Sequence, residues 1–147
     1  MKRTGIFLIV AFFVCSSTVM AQDYKRALGI RLSSNDAVVN NSISYKHFFG
    51  TTAAEVMLSF GKPGALGLML EKHNPLGATG LNWYYGAGAY IGFNKAHVLG
   101  MQGALGLDYK IPSIPFNLSV DWKPELNLLD KLFFEPSAVG LSARFTF

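Results

Sequence analysis

An all-β fold, an eight-stranded antiparallel up-and-down barrel, is what this sequence predicts, and three observations predict it. Apolar and polar residues alternate with period two in eight segments. Turn residues separate those segments at regular intervals, with no helical pattern or linker between them. Charged residues make up only 15% of the chain and hydrophobic ones 50%, whereas a soluble domain usually carries about 25% charged residues. The 147 residues allow one domain, and the apolar and aromatic content excludes disorder.

The first segment is expected to be removed. Lys2 and Arg3 form a positive start, residues 6–14 an apolar core, and Val19-Met20-Ala21 a small-residue cleavage site before Gln22. Residues 1–21 therefore read as a cleaved signal peptide and 22–147 as the barrel domain. Nine unbroken apolar residues are too few to span a bilayer as a helix. Bulky Val14 before Cys15 argues against a lipoprotein signal. Cys15 is the only cysteine, so the exported part has neither disulfides nor thiolate metal sites. The 13 basic and 9 acidic residues give +4, but Lys2 and Arg3 leave with the signal. No basic run survives, which excludes strong nucleic-acid binding.

The strands follow in order. Leu28, Ile30 and Leu32 alternate with Gly29, Arg31 and Ser33. The segment 42–49 is the weakest, with Ile43 and Tyr45 marking its apolar side. Ala54, Val56, Leu58 and Phe60 alternate with Glu55, Met57 and Ser59, and Leu66, Leu68 and Leu70 with Gly67, Met69 and Glu71. The fifth strand sets Trp83, Tyr85, Ala87, Ala89, Ile91 and Phe93 against Asn82, Tyr84, Gly86, Gly88, Tyr90 and Gly92. In the sixth, Leu99, Met101, Leu105, Leu107 and Tyr109 share one parity. The clearest alternation is 116–128, from Phe116 through Trp122 to Leu128, with Asn117, Ser119, Asp121, Lys123, Glu125 and Asn127 on the other parity. The last strand places Val139, Leu141, Ala143, Phe145 and Phe147 opposite Gly140, Ser142, Arg144 and Thr146. Between them lie turns at 34–36, Gly50, 62–64, 74–80, 94–95, 112–115 and 130–136. Long apolar strands must hide their edges, and closing the sheet does so.

Period two alone does not say which parity faces out. Three features favour an apolar exterior, hence a transmembrane barrel rather than a soluble, lipocalin-like ligand-binding barrel. The polar parity is rich in Gly, Ser, Ala and Asn, which suits a narrow lumen. It also balances Arg31, Lys46, Lys110, Lys123 and Arg144 against Glu55, Glu71, Asp108, Asp121 and Glu125, as buried charge requires. Aromatic residues of the apolar parity gather near strand ends, where amphipathic rings meet a membrane interface.

The last residues, Gly140-Leu141-Ser142-Ala143-Arg144-Phe145-Thr146-Phe147, resemble the C-terminal assembly signal of Gram-negative outer-membrane barrels, with Phe145 and terminal Phe147 its strongest elements. The stretches Leu81-Asn82-Trp83-Tyr84-Tyr85-Gly86-Ala87-Gly88, Leu107-Asp108-Tyr109-Lys110 and Ser119-Val120-Asp121-Trp122-Lys123-Pro124 extend the likeness. The chain is similar to small eight-stranded barrels such as the membrane domain of outer membrane protein A. The resemblance implies an outer-membrane location and insertion by the barrel-assembly machinery, with outer-membrane lipids as partners; it implies no activity. No periplasmic domain is expected beyond the last strand.

Catalytic, cofactor and metal chemistry find little support. Gly86, Gly88 and Gly92 have the wrong spacing for a phosphate loop and read as lumenal glycines making room for Tyr84 and Tyr90. His47, His73 and His97 are scattered, without metal-ligand spacing, and read as strand-end polar residues. No His lies two residues from a Ser on one strand face, as a Ser/His hydrolase site at the membrane surface would favour, so a lipid-modifying enzyme stands as the alternative. Lys72 falls on the outward parity near a strand end, where it can snorkel. The candidate site is instead a structural charge network in a filled lumen, without an open pore: Arg31, Lys46, Glu55, Glu71, Asp108, Lys110, Asp121, Lys123 and Arg144. Strand direction places these, Arg31 apart, in the periplasmic half. Ser33, Ser44, Ser59, Gly88, Gln102 and Ser142 are expected above them.

Overall fold

A computed structural model describes residues 24–34, 37–62, 64–93, 98–129 and 131–147; the expected signal segment and cleavage site, and His97, lie outside them. Among the described residues ten strands form one sheet: β1 (Arg26–Ser33), β2 (Ser42–Phe49), β3 (Thr52–Ser59), β4 (Gly64–Pro75), β5 (Leu81–Phe93), β6 (Val98–Lys110), β7 (Phe116–Trp122), β8 (Glu125–Asn127), β9 (Phe133–Glu135) and β10 (Val139–Thr146). Every pairing is antiparallel. Consecutive strands pair from β1 to β7, β7 pairs with β10, and β10 returns to β1, so the sheet closes.

Ten strands make eight staves. β7 and β8 lie on β6 in one unbroken register, with Leu105 opposite Trp122 and Gln102 opposite Glu125. Pro124, which has no N–H to donate, interrupts the stave, yet its carbonyl still accepts from Gly103 N at 2.9 Å. β9 and β10 likewise share the last stave, but with an extra residue. Glu135 stands opposite Glu125 whereas Val139 stands opposite Trp122, a one-residue bulge at 136–138. Lys123 N bonds the Ala138 carbonyl across it at 2.7 Å. Residues 133–135, read from sequence as part of a turn, are therefore strand. Pro136 set the turn signal, but it marks the bulge instead. β4 likewise runs on through Asn74 to Pro75, and the turn to β5 follows it.

The polar parity is inside. Arg31, Lys46, Glu55, Glu71, Asp108, Asp121, Lys123 and Arg144 are each at most 3% exposed, while Leu28, Ile30, Leu32, Leu68, Leu70 and Leu141 are 46–64% exposed. This is the reverse of a soluble barrel with an apolar cavity. The outward side chains form a continuous apolar belt, and Lys72 at its margin reaches the Thr51 hydroxyl beyond the strand end.

The glycines that admit the inward tyrosines sit on β6, not on β5. Tyr84 faces Gly106 and Tyr90 faces Gly100 across the β5–β6 register. A Cβ on Gly100 would lie 2.2 Å from Cζ of Tyr90 and 2.6 Å from the Leu126 carbonyl oxygen. Gly86 and Gly88 instead clear the main chain of β4. Sequence alone could not pair the rings with their glycines, because that depends on register. Gly100→Val is accordingly expected to lower stability by at least the ~1–3 kcal/mol typical of overpacking, read from the urea midpoint of the refolded barrel. Removing the ring in a Gly100→Val/Tyr90→Ala double variant should recover only part, since the Leu126 carbonyl contact persists. A Gly100→Val midpoint equal to that of the parent would contradict this packing.

Candidate functional site

The interior is layered, because inward residues of successive strands change character with height. Tyr24, Ala27, Phe48 and Ala53 form a small apolar cluster at the end that carries Phe147. Tyr24 meets Phe48 edge-on at 5.1 Å, and its hydroxyl donates to Asp108 Oδ2 at 3.4 Å. Burial, reinforced by that carboxylate, pushes the Tyr24 phenol well above its ordinary pKa, so it stays a neutral donor.

Above this lies an ionic layer. Glu55 is its centre: Oε1 accepts from Arg144 Nη2 at 2.5 Å and from Ser44 Oγ at 2.6 Å, and Oε2 from Lys123 Nζ at 2.5 Å. Arg144 spreads its remaining donors to Ser44 Oγ and Ser119 Oγ, both at 2.8 Å. Its planar fork thus ties β2, β3, β7 and β10 together. Glu71 takes Lys46 Nζ at 2.6 Å, Lys123 Nζ at 3.7 Å and His73 Nε2 at 3.0 Å. His73 stacks on Tyr84 at 4.7 Å, whose ring also holds the Lys46 ammonium 4.7 Å from its centroid. Asp108 accepts from Asn117 Nδ2 at 2.9 Å. Arg31 pairs with Asp121, which also accepts the Tyr84 hydroxyl at 2.9 Å.

Of the nine residues predicted for a charge network, eight are brought inside. Lys110 is not among them. It lies at the mouth, where its Nζ donates to the Ile111 and Ile114 carbonyls at 3.0 and 2.7 Å, capping the β6–β7 turn. A flexible ammonium on the last residue of a strand satisfies itself more cheaply on turn carbonyls beside water than by desolvation in the lumen. Ser44, expected above the charges, is instead embedded among them. Arg31 takes the opposite course, standing in register with Ser42 and Ser142 on the far side of the ionic layer.

The far end is closed by a component that alternation did not reveal. Residues 37–40 turn inward, and the carboxylate of Glu125 accepts from Val38 N at 2.7 Å and Val39 N at 2.9 Å. Val39 packs with Met57, Ala65, Met69, Tyr84, Tyr90 and Ala104. Asn40 anchors the loop, its Oδ1 accepting from Ser59 Oγ at 2.7 Å. Glu125 therefore serves as a cap for two loop N–H groups. An apolar Val38-Val39 pair between turn residues was the sequence signal that could have found this plug.

At the opposite end an open recess of about 650 Å³ is bordered by Tyr24, Arg26, His47, Lys110, Ile114 and Phe147. Among the described residues no group of three or more His, Cys, Asp or Glu side chains could hold a metal ion. The ionic layer neutralises its carboxylates at short range and holds them in a fixed frame, which is an arrangement for locking strands together. No protein-family model, curated protein or solved structure matches the chain.

Proposed function

We propose that this chain is a Gram-negative outer-membrane β-barrel with a filled lumen, serving a structural or interaction role and forming no open pore. The observation that carries the reading is the inverted polarity: a belt of exposed Leu, Ile, Val and aromatic side chains around a buried ionic interior. Water would penalise that belt, whereas lipid hydrocarbon is its natural solvent, and closed barrels satisfy their backbone groups there. The rings Phe116, Phe145 and Phe147 adjoin one another at one rim, with centroids 5.9 and 6.3 Å apart, consistent with an interfacial girdle. Phe145 and Phe147 point outward, where an assembly receptor can read them. Export by the segment 1–21, insertion by the barrel-assembly machinery and residence among outer-membrane lipids belong to the same proposal.

The test is direct. After expression in a Gram-negative host, the protein should fractionate with outer membranes, resist extraction without detergent, and migrate faster on gels unheated than boiled. Planar bilayers containing it should stay nearly silent, because paired side chains fill the lumen. Recovery in the detergent-free soluble fraction would overturn the membrane reading. Stable large-conductance steps would overturn the filled lumen, and altered lipid A in overexpressing cells would favour the enzymatic alternative.

A further inference from the structure

Among the described residues the barrel wall is closed, but β9 is paired on one side only. Among the described residues β9 pairs with β8 alone; just past β1, Ser34 still bonds the neighbouring stave, from its N–H to the Val139 carbonyl and from its hydroxyl to the Ser137 carbonyl, both at 3.1 Å, but no described strand lies against β9 beyond it. The hydrogen-bond phase of this short ribbon can be traced. Pro124 and Leu128 direct their main-chain groups at β6, through bonds with Gly103 and Leu99. Alternation then directs Glu125 and Asn127 at β9, and their partners Glu135 and Phe133 back at β8. The N–H and C=O of Phe134 therefore point away from β8, along an edge that no other described strand covers. The side chains beside that edge are apolar on both faces: Leu132, Phe133 and Phe134 are 77%, 58% and 54% exposed. In a stave of the wall one of two adjacent side chains would face the lumen, so this ribbon projects beyond it.

We propose that this edge pairs with the same edge of a second copy of the chain, in an antiparallel twofold dimer centred on Phe133. Pairing a strand with itself in antiparallel sense is inherently twofold, and one register stands out. Centred on Phe133, it sets Phe134 opposite Leu132 of the other copy, so that outward backbone groups meet, and it sets Lys131 opposite Glu135 twice over. Centring on Phe134 would instead place Leu132 opposite Pro136, which has no N–H, and would lose the charge pairing. Glu135 is held for the purpose by Ser137, whose backbone N–H donates to Oε1 at 2.8 Å, leaving Oε2 for a cation. The contact joins outward edge groups, two apolar faces and complementary charge, the features by which exposed edges capture strands. It is small, so the dimer is weak and gains from confinement in a bilayer plane. The inference does not depend on the membrane reading, because edge, charges and apolar faces are present in either solvent.

The experiment uses the refolded barrel with single cysteines introduced after signal removal. Phe133→Cys lies at the twofold axis in a non-hydrogen-bonded pair, where side chains approach closest, and is expected to give a disulfide-linked dimer on mild oxidation. Phe134→Cys faces Leu132 and should cross-link at least several-fold less. Sedimentation in matched-density detergent should show the parent associating as concentration rises. Lys131→Glu should weaken association about tenfold through two like-charge pairs, and Lys131→Glu/Glu135→Lys should restore it. Heat-modifiable mobility checks that each variant is folded. Equal cross-linking at 133 and 134, or no rescue by the charge swap, would overturn the register. A monomer at every concentration, with a label at 133 quenched by brominated lipid, would assign the patch to lipid and overturn the dimer.

Discussion

Arg144→Ala is expected to lower the stability of the folded barrel by ~3–5 kcal/mol, the cost of breaking a buried, hydrogen-bonded ion pair from one side. The side chain is fully buried and donates to Glu55, Ser44 and Ser119 at 2.5–2.8 Å. Removing it strands part of Glu55, which keeps Lys123 and Ser44, and leaves a cavity where four strands were bridged. Arg144→Lys tests the geometry separately. It preserves the charge opposite Glu55 but cannot reach both serines, so it should recover part of the loss and not all of it. The measurement is urea-induced unfolding in detergent or lipid, followed by Trp fluorescence and by heat-modifiable mobility. A change below ~1 kcal/mol, the range of exposed pairs, would show that water reaches the site and that the layer is not sealed.

The second large effect is expected at Asp121. Asp121→Ala removes the partner of Arg31 and the acceptor of the Tyr84 hydroxyl together. Both side chains stay buried, so a charge and a phenol are left wanting, again ~3–5 kcal/mol for the charge with about 1–3 kcal/mol more for an unsatisfied hydroxyl. Asp121→Asn keeps an acceptor for Tyr84 while removing the charge, and should fall between. The Arg31→Ala/Asp121→Ala double variant should lose less than the sum of the two single losses, because no unpaired ion remains. Additive losses would show that the two residues act independently and would contradict the pairing.

Much of the architecture was legible in the chain because period two is a local property. Phe116 to Leu128 alternates without interruption, and a strand has only two faces, so every residue's side follows once one is assigned. Eight such segments with turn residues between them suffice for an antiparallel meander. The balance of charges on one parity also foretold which parity was inside, since unpaired ions cannot be buried. Even the break at Pro124 left the register intact, which is why 116–128 reads as one strand and behaves as one stave.

What the sequence by itself determined was therefore the eight staves, β9 apart, with their two faces and the charge types that share the interior. Only the tertiary structure decided the partners. Lys123 meets Glu55 from 68 residues away and Arg144 meets it from 89, distances along the chain that alternation cannot measure. Those pairings depend on how the closed sheet staggers and on how far each side chain reaches across the lumen. The same holds for Lys110, which the parity rule placed inside but which found turn carbonyls nearer than any carboxylate. It holds for residues 37–40, whose inward course is secured by Glu125 on a distant strand. The physical reason is that a side chain's face is set by its own backbone, whereas its partner is set by closure or, for Lys110 at the mouth, by the fold of the adjoining turn.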